Sequence, residues 1–418
     1  MCLGRLGEKG QVEELHQPST LEIARELSVS TPSKIVLLVI DGLGGLPHPE
    51  TGLTELETAH IPHLDRLAGQ SEVGLTEPLL PGVTVGSGPG HMALFGYDPL
   101  QFQFNRGATS AMGIGFPLVP GDLAARINFA TFDERGLVVD RRAGRISSEE
   151  GERLCELLRE IRVEGVDIFL RMEKGHRAVV VFRGEGLSDR LADSDPEREG
   201  VPLLPVRPLV PEAERVAVVV NQFIDRAMEL LRGQGPANGV LLRGFAGLPV
   251  APSMAEVYRV RAAAISAYPT YQGVARIVGM EVLPTGDTLE SECQTLEDHF
   301  REYDFFYLHV KWTDSAGEDG RFEEKARVLE MVDRLVPRIQ TLSPEVLAVG
   351  GDHSSPCVFR EHTWHPVPFM IHSQWAMSGA ASRFTERECS RGSLGRFPAT
   401  RAMLLMLGHA GKLRKFGA

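Results

Sequence analysis

Three short apolar runs, each ending in a charged turn, organise the chain. Ile35 to Ile40 reads IVLLVI, with no polar position. A strand with one wet face would alternate, so a continuous run fits a strand covered on both faces, as in a parallel sheet. It ends in Asp41-Gly-Leu-Gly-Gly. Phe305 to Val310 (FFYLHV) runs into Lys311-Trp-Thr-Asp314, and Leu347 to Gly351 (LAVGG) into Asp352-His353. Helical spacing appears at Pro62 to Ala68, Phe322 to Ile339 and Thr400 to Leu407. Strand, loop and helix in alternation predict an α/β domain with a mainly parallel sheet flanked by helices.

A second set of elements interrupts this pattern between about Leu118 and Pro252. It includes the strand-like Arg177 to Phe182 (RAVVVF) and the helical Ala213 to Leu231, with Gly/Pro breaks at 233–236 and 248–252. Asp41 precedes this block, and Asp314 and Asp352 follow it. The expected organisation is a discontinuous domain over 34–117 and 253–418, with a smaller α/β domain inserted at 118–252. Residues 1–33 read as an extension with one weakly amphipathic stretch, Leu21 to Leu27. A length of 418 residues agrees with more than one core.

Composition narrows the possibilities. Hydrophobic residues make up 43% and charged residues 24%, as in a globular protein. No apolar run approaches the ~18 residues that span a bilayer, and the N-terminus shows no secretory signal. Five cysteines, widely spaced and without C-x-x-C, argue against a disulfide framework or a structural zinc site and for a reducing, cytoplasmic setting. The net charge of -12 disfavours nucleic acid as a partner. An anionic small substrate would need its own arginine cluster.

The chemistry-bearing residues cluster at the turns. Ligands bind in open α/β sheets at the carboxyl edge of the strands, and three Asp residues follow buried strands. One alone would read equally well as a turn or capping residue. Asp352-His353 puts a carboxylate and an imidazole on one loop, and His362 and His365 follow in HTWHPVP. Asp314 and Glu318, four apart, share a face if their loop turns helically. Mixed carboxylate and imidazole donors suit Mn²⁺, Zn²⁺, Fe or Co²⁺, whereas carboxylates alone would point to Mg²⁺ or Ca²⁺. Ser87 lies between glycines in Val-Gly-Ser-Gly-Pro-Gly-His, ahead of the helical Met92 to Phe95. The glycines let a bulky group approach, and a helix start favours an incoming phosphate. An ordinary capping serine would read the same. The segment is neither a P-loop nor a G-x-S-x-G elbow, so metal coordination would have to activate the hydroxyl.

Taken together these motifs resemble the alkaline phosphatase superfamily and, within it, the archaeal-type branch of the cofactor-independent phosphoglycerate mutases. The resemblance runs from about Lys34 to the C-terminus. It rests on VIDGLGG (39–45), TAHIPHLDRLA (58–68), GSGPGHMALFGYDP (86–99), NRGATSAMG (105–113), DRRAGRI (140–146), FRGEGLSD (182–189), GVARIVGM (273–280), HVKWTDSAGEDG (309–320), GGDHSSPC (350–357) and HTWHPVP (362–368). It implies an alkaline-phosphatase-like sheet, a serine nucleophile at Ser87 and two divalent metal ions, with Mn²⁺ favoured over Mg²⁺, Co²⁺ or Zn²⁺. One metal site would be Asp41, Ser87, Asp352 and His353. The other would be Asp314, His362 and Glu318, where the family usually has His. Gln272 stands where many relatives carry Lys, a loss for which Lys311 could compensate as a catalytic cation.

Arg142, Arg145, Arg177, Arg183 and Arg243 are the expected clamps for substrate carboxylate and phosphate, because arginine's planar fork suits both anions. The implied activity is interconversion of 3- and 2-phosphoglycerate through phosphoserine, in glycolysis and gluconeogenesis. The enzyme would be a monomer or small homo-oligomer, with no membrane or nucleic-acid partner. Alternatives on the same scaffold are a homoserine-kinase-like phosphotransferase and a metal-dependent phosphatase or phosphonate hydrolase. A non-enzymatic binding protein would leave all these donors idle.

Overall fold

The structure is a computed structural model and describes residues 18–417. Its strands in chain order are β1 (Ile35–Ile40), β2 (Glu72–Glu77), β3 (Asp122–Phe132), β4 (Val138–Asp140), β5 (Asp167–Lys174), β6 (Arg177–Arg183), β7 (Gly239–Ala246), β8 (Ala262–Ile265), β9 (Glu281–Val282), β10 (Phe305–Val310), β11 (Val346–Gly350), β12 (Val367–His372) and β13 (Gly395–Pro398). Eight of them form one sheet in the order β13-β2-β12-β11-β1-β10-β8-β9. Its pairings are parallel except for those of β12, which runs antiparallel to β11 and β2. The fold is thus the expected α/β class, with a mainly parallel sheet flanked by helices.

The run IVLLVI is buried at every position. Val36, Leu38 and Ile40 enter the core on one face of the sheet, and Ile35, Leu37 and Val39 the core on the other. At roughly 1.5–3 kcal/mol for each buried aliphatic side chain, neither face can give a position to a polar residue. This is why the run carries no alternation.

Strands β3 to β7 form a separate five-stranded sheet, in which β4-β3-β6-β5 are consecutive and β7 also pairs with β3. All its pairings are antiparallel. One face packs on the helices Ser148–Leu158 and Glu214–Leu231. The other face receives the helix Arg106–Gly113 through Ala108 and Ala111. That helix lies against Pro269–Ile277, and glycine makes the approach possible. A Cβ on Gly273 would stand 1.9 Å from the Thr109 carbonyl oxygen, and one on Gly113 would stand 2.1 Å from that of Pro269.

Of the N-terminal extension, residues 1–17 lie outside the described part. The stretch from Leu21 forms the helix Thr20–Leu27, closed by a Ser19/Glu22 capping box. The single helix expected over Phe322 to Ile339 is broken in two, Phe322–Asp333 and Val336–Thr341. Pro337 enters the first turn of the second piece, where its missing N–H costs nothing. No helix among the described residues is long and apolar enough to cross a membrane. The described cysteines, Cys155, Cys293, Cys357 and Cys389, are free and buried.

Candidate active site

Strands β11, β1 and β10 are parallel neighbours, so their carboxyl ends open at one edge of the sheet. Asp41 follows β1 directly and hydrogen-bonds through its backbone N–H to Val310 O at the end of β10. Asp352 and His353 follow β11, and Asp314 sits on the short helix Trp312–Glu318 after β10. All four are buried, at 0–1% exposure.

Ser87 reaches the cluster from the other side. It is the first residue of the helix Ser87–Leu94, and Gly86 is the cap, with no side-chain capping bond. The Ser87 hydroxyl therefore does not serve as a helix cap. Its oxygen lies 3.1 Å from His353 Nε2 and 3.4 Å from the Tyr271 hydroxyl. A Cβ on Gly90 would come within 2.3 Å of Asp352 O, so this helix lies flush on the Asp352 loop.

Two sets of donor atoms each fall within 4.8 Å of one another: Asp41, Asp352 and His353, and Asp314, His353 and His362. Asp41 Oδ1 and Asp352 Oδ2 are buried without a hydrogen-bond partner. Both point at His353 Nε2, at 3.3 and 3.1 Å. Asp352 Oδ2 also lies 3.1 Å from His91 Nδ1, but two carboxylate oxygens with no hydrogen bond in a dry interior are costly, and a divalent cation between them would remove that cost, so this donor set fits a metal. The His353 ring stacks on His362 at 3.7 Å between centroids, and His362 Nε2 lies 3.4 Å from Asp314 Oδ1. Glu318 Oε1 is 3.6 Å from the same nitrogen, with a half-exposed side chain. The structure thus brings together every proposed metal-ligating residue, with Glu318 at the rim.

The charges are strongly coupled. Burial alone would raise the Asp41 pKa, but Lys311, with Nζ 3.2 Å from Oδ2, and His309 and His353 beside it hold the carboxyl well below its usual range. Lys311 also pairs with Asp314, whose pKa is lowered despite burial by His362 and Lys311. Burial opposes a charge on His362, yet Asp314 and Glu318 outweigh it and push its pKa to about 10. Ser355 Oγ donates to Asp314 Oδ1 at 2.6 Å and sits 3.2 Å from His353 Nδ1, which links the two donor sets. Gln272 turns its amide to Ser266 O at 2.8 Å.

The antiparallel sheet supplies the cations. On β3, Arg126 is in register with Arg243 of β7, and Asn128 with Arg177 of β6, so pleating sends these arginines to one face. Arg177 feels the charges of Arg126 and Arg142, and Arg106 those of Arg243 and Arg177. Arg145 lies near His176, where burial and the cations Arg177, Arg142 and Arg145 lower the imidazole pKa to about 4. Arg243 pairs with Asp195 at 3.3 Å and with Glu197. No ion pair joins the guanidinium groups of Arg106, Arg142, Arg145 or Arg177 to a carboxylate among the described residues.

Arg183 is not brought to this cluster. It stands at the opposite end of β6 from Arg177 and makes a bidentate pair with Asp122, at 2.6 and 2.7 Å. Its fork is used inside its own sheet. Sequence reasoning missed Arg106, Arg126, Tyr271, His91 and His309. A signal existed for one of them, because His309 interrupts the otherwise apolar buried strand FFYLHV.

A sequence model of 2,3-bisphosphoglycerate-independent phosphoglycerate mutase matches residues 68–237. A curated relative from Thermus thermophilus, a probable 2,3-bisphosphoglycerate-independent phosphoglycerate mutase, is 49% identical over 95% of this chain and 99% of its own. The chain belongs to this family. A relative of the same name from Thermotoga maritima is 47% identical over 95% of this chain and 99% of its own. Among solved structures, the PH0037 protein from Pyrococcus horikoshii matches with a TM-score of 0.81 at 29% identity, covering 93% of this chain and all of its own. The cofactor-independent phosphoglycerate mutase of Thermoplasma acidophilum matches at 0.67 and 30% identity, over 91% of this chain and 100% of its own.

Proposed function

We propose that this chain is an isomerase that interconverts 3-phosphoglycerate and 2-phosphoglycerate through a phosphoserine at Ser87. The observation that carries this is the Ser87 hydroxyl, uncommitted to capping, 3.1 Å from His353 Nε2 and beside the unpartnered oxygens of Asp41 and Asp352. Asp41, Ser87, Asp352 and His353 would hold one divalent cation, and Asp314, His362 and Glu318 a second, with Mn²⁺ favoured by the mixed donors. Bound there, the cations lower the serine pKa and neutralise phosphoryl charge.

The chain's own groups do the rest. Ser87 Oγ takes the phosphoryl group, glycerate turns within the pocket, and its 2-hydroxyl recovers it. Arg177, Arg106 and Arg142, whose forks meet no carboxylate among the described residues, face the phosphoryl and carboxylate groups with Arg243 beside them, while Arg126 is held by Glu173 at 3.3 Å and Ser110 at 2.7 Å and serves to position Thr270. Lys311 stays between Asp41 and Asp314 as a fixed cation. The five-stranded sheet covers the bound glycerate so that water does not compete for the phosphoryl group. The enzyme would work in the cytoplasm as a monomer or small oligomer.

The test is a coupled assay run with Mn²⁺, Co²⁺, Zn²⁺ and Mg²⁺ in turn. Formation of 2-phosphoglycerate without added 2,3-bisphosphoglycerate is the expected result. Release of free phosphate alone, or ATP-dependent phosphorylation of homoserine, would overturn the proposal.

A further inference from the structure

Ser87 Oγ has two polar neighbours, His353 Nε2 at 3.1 Å and the Tyr271 hydroxyl at 3.4 Å. In the function proposed above, on which this inference rests, His353 gives that nitrogen to a cation. Tyr271 is then the one hydrogen-bond donor left on the nucleophile among the described residues. We propose that Tyr271 is a catalytic residue, a neutral donor aimed at the serine oxygen that stabilises it whenever the bond to phosphorus forms or breaks.

The surroundings of Tyr271 are built to fix that hydroxyl. The residue is buried, 4% exposed, on the helix Pro269–Ile277. Its ring lies tilted by 30° against His309 with centroids 3.8 Å apart. The His309 ring is itself held at both nitrogens, 3.3 Å from Asp41 Oδ2 and 3.3 Å from Ser266 Oγ. His91 packs on the Tyr271 ring at 5.0 Å. The helix is pinned by the Gly273 contact with Thr109 O and by Arg126, whose Nη2 donates to Thr270 Oγ1 at 3.2 Å. Both sheets therefore determine where this hydroxyl points. A tyrosine hydroxyl is protonated at neutral pH, so it donates without giving up its proton.

Ser87 Oγ forms its bond to phosphorus as the bond from phosphorus to the 3-oxygen of the substrate breaks, and the serine proton ends on that oxygen. In return, the glycerate 2-oxygen bonds to phosphorus, the P–Oγ bond breaks with its electron pair left on Oγ, and the 2-hydroxyl proton goes back to the serine. Tyr271 donates one hydrogen bond to Oγ on both passages. Donors of this kind, aimed at developing negative charge, are worth about a hundredfold or more in kcat when removed. At 3.4 Å a smaller effect, roughly ten- to hundredfold, is expected here.

The test compares the full chain with Tyr271→Phe, both loaded with Mn²⁺, and measures kcat, KM, bound metal, melting temperature and radiolabelled phosphoserine at Ser87. Tyr271→Phe keeps the ring and its packing. The expected result is a drop in kcat of roughly ten- to hundredfold with KM, metal content and melting temperature held near the wild-type values. A third protein with 3-fluorotyrosine at position 271, which keeps both ring and hydroxyl, should recover most of the rate. A Tyr271→Phe kcat within about twofold of wild type overturns the proposal, as does an equal loss in the phenylalanine and fluorotyrosine proteins. A wild-type chain that forms no phosphoserine at Ser87 removes the nucleophile itself, and failure of the functional reading is recognised by that result alone.

Discussion

Lys325 is fully buried, and its ammonium ties together the two loops that carry the candidate metal ligands. Nζ donates to Gly44 O at 3.1 Å, on the loop after Asp41, and to Ser355 O at 2.9 Å, on the loop after His353. Its counterion is Glu55, 3.8 Å away and equally buried, which accepts the Cys357 N–H at 2.8 Å. Lys325→Met fills the same volume and removes the charge. Two hydrogen bonds from a charged donor disappear, at about 1.5–3 kcal/mol each before relaxation. Glu55 keeps a buried charge without its partner, and breaking a buried pair from one side costs about 3–5 kcal/mol. These overlap, so a net loss of about 3–5 kcal/mol is expected, or roughly 3–6 °C in melting temperature for a chain of this size. The loops should also separate, so metal retained after dialysis should fall. Glu55→Gln keeps an acceptor for Cys357 without the charge, and added to Lys325→Met it should restore at least about 1 kcal/mol relative to the sum of the single changes. Thermal melts and metal analysis of the four proteins check this. A Lys325→Met protein that melts within about 1 °C of wild type, with full metal content, would refute the argument that this ammonium joins the loops.

Three further outcomes follow from the geometry. Ser87→Ala should lose several orders of magnitude of mutase activity with its melting temperature unchanged, because one uncommitted hydroxyl is deleted; substantial residual turnover, with no phosphorylated peptide in the wild type, would exclude a covalent route. Glu318→Ala should lower metal content and activity together, and normal metal binding would assign Glu318 to the loop alone and turn attention to His365. Glu292 is 1% exposed, and burial raises its pKa to about 8 despite the Ala267 N–H that it accepts. Its folded-state pKa lies above the unfolded one, so its contribution to stability is complete below the ordinary glutamate value of 4.5 and is lost as pH rises toward 8. Melting temperatures between pH 5 and 8.5 should therefore fall less for Glu292→Gln than for wild type, and parallel curves would contradict this.

Local pattern carried much of this molecule. A six-residue aliphatic run can only be covered on both sides, so IVLLVI and FFYLHV announced central parallel strands, and the residues after them had to stand at the sheet's carboxyl edge. Asp41, Asp314, Asp352 and His353 were legible for that reason. What lay beyond reach was contact between segments far apart in sequence. The antiparallel course of β12 depends on pairing with β2, nearly 300 positions away, and its own six residues carry no mark of direction. Arg177 and Arg183 sit on one strand with the same chemistry. Register alone sends Arg177 toward Arg126 and the pocket, while Arg183 meets Asp122. Tyr271 carries no mark of function in its own segment, and its buried hydroxyl gains meaning only because the helices Arg106–Gly113 and Pro269–Ile277 meet glycine against carbonyl and set it on Ser87. Burial and turn chemistry are written in neighbouring residues. Which side chains share a pocket is decided by packing, where the pairing of distant elements converts a one-residue shift into a different face.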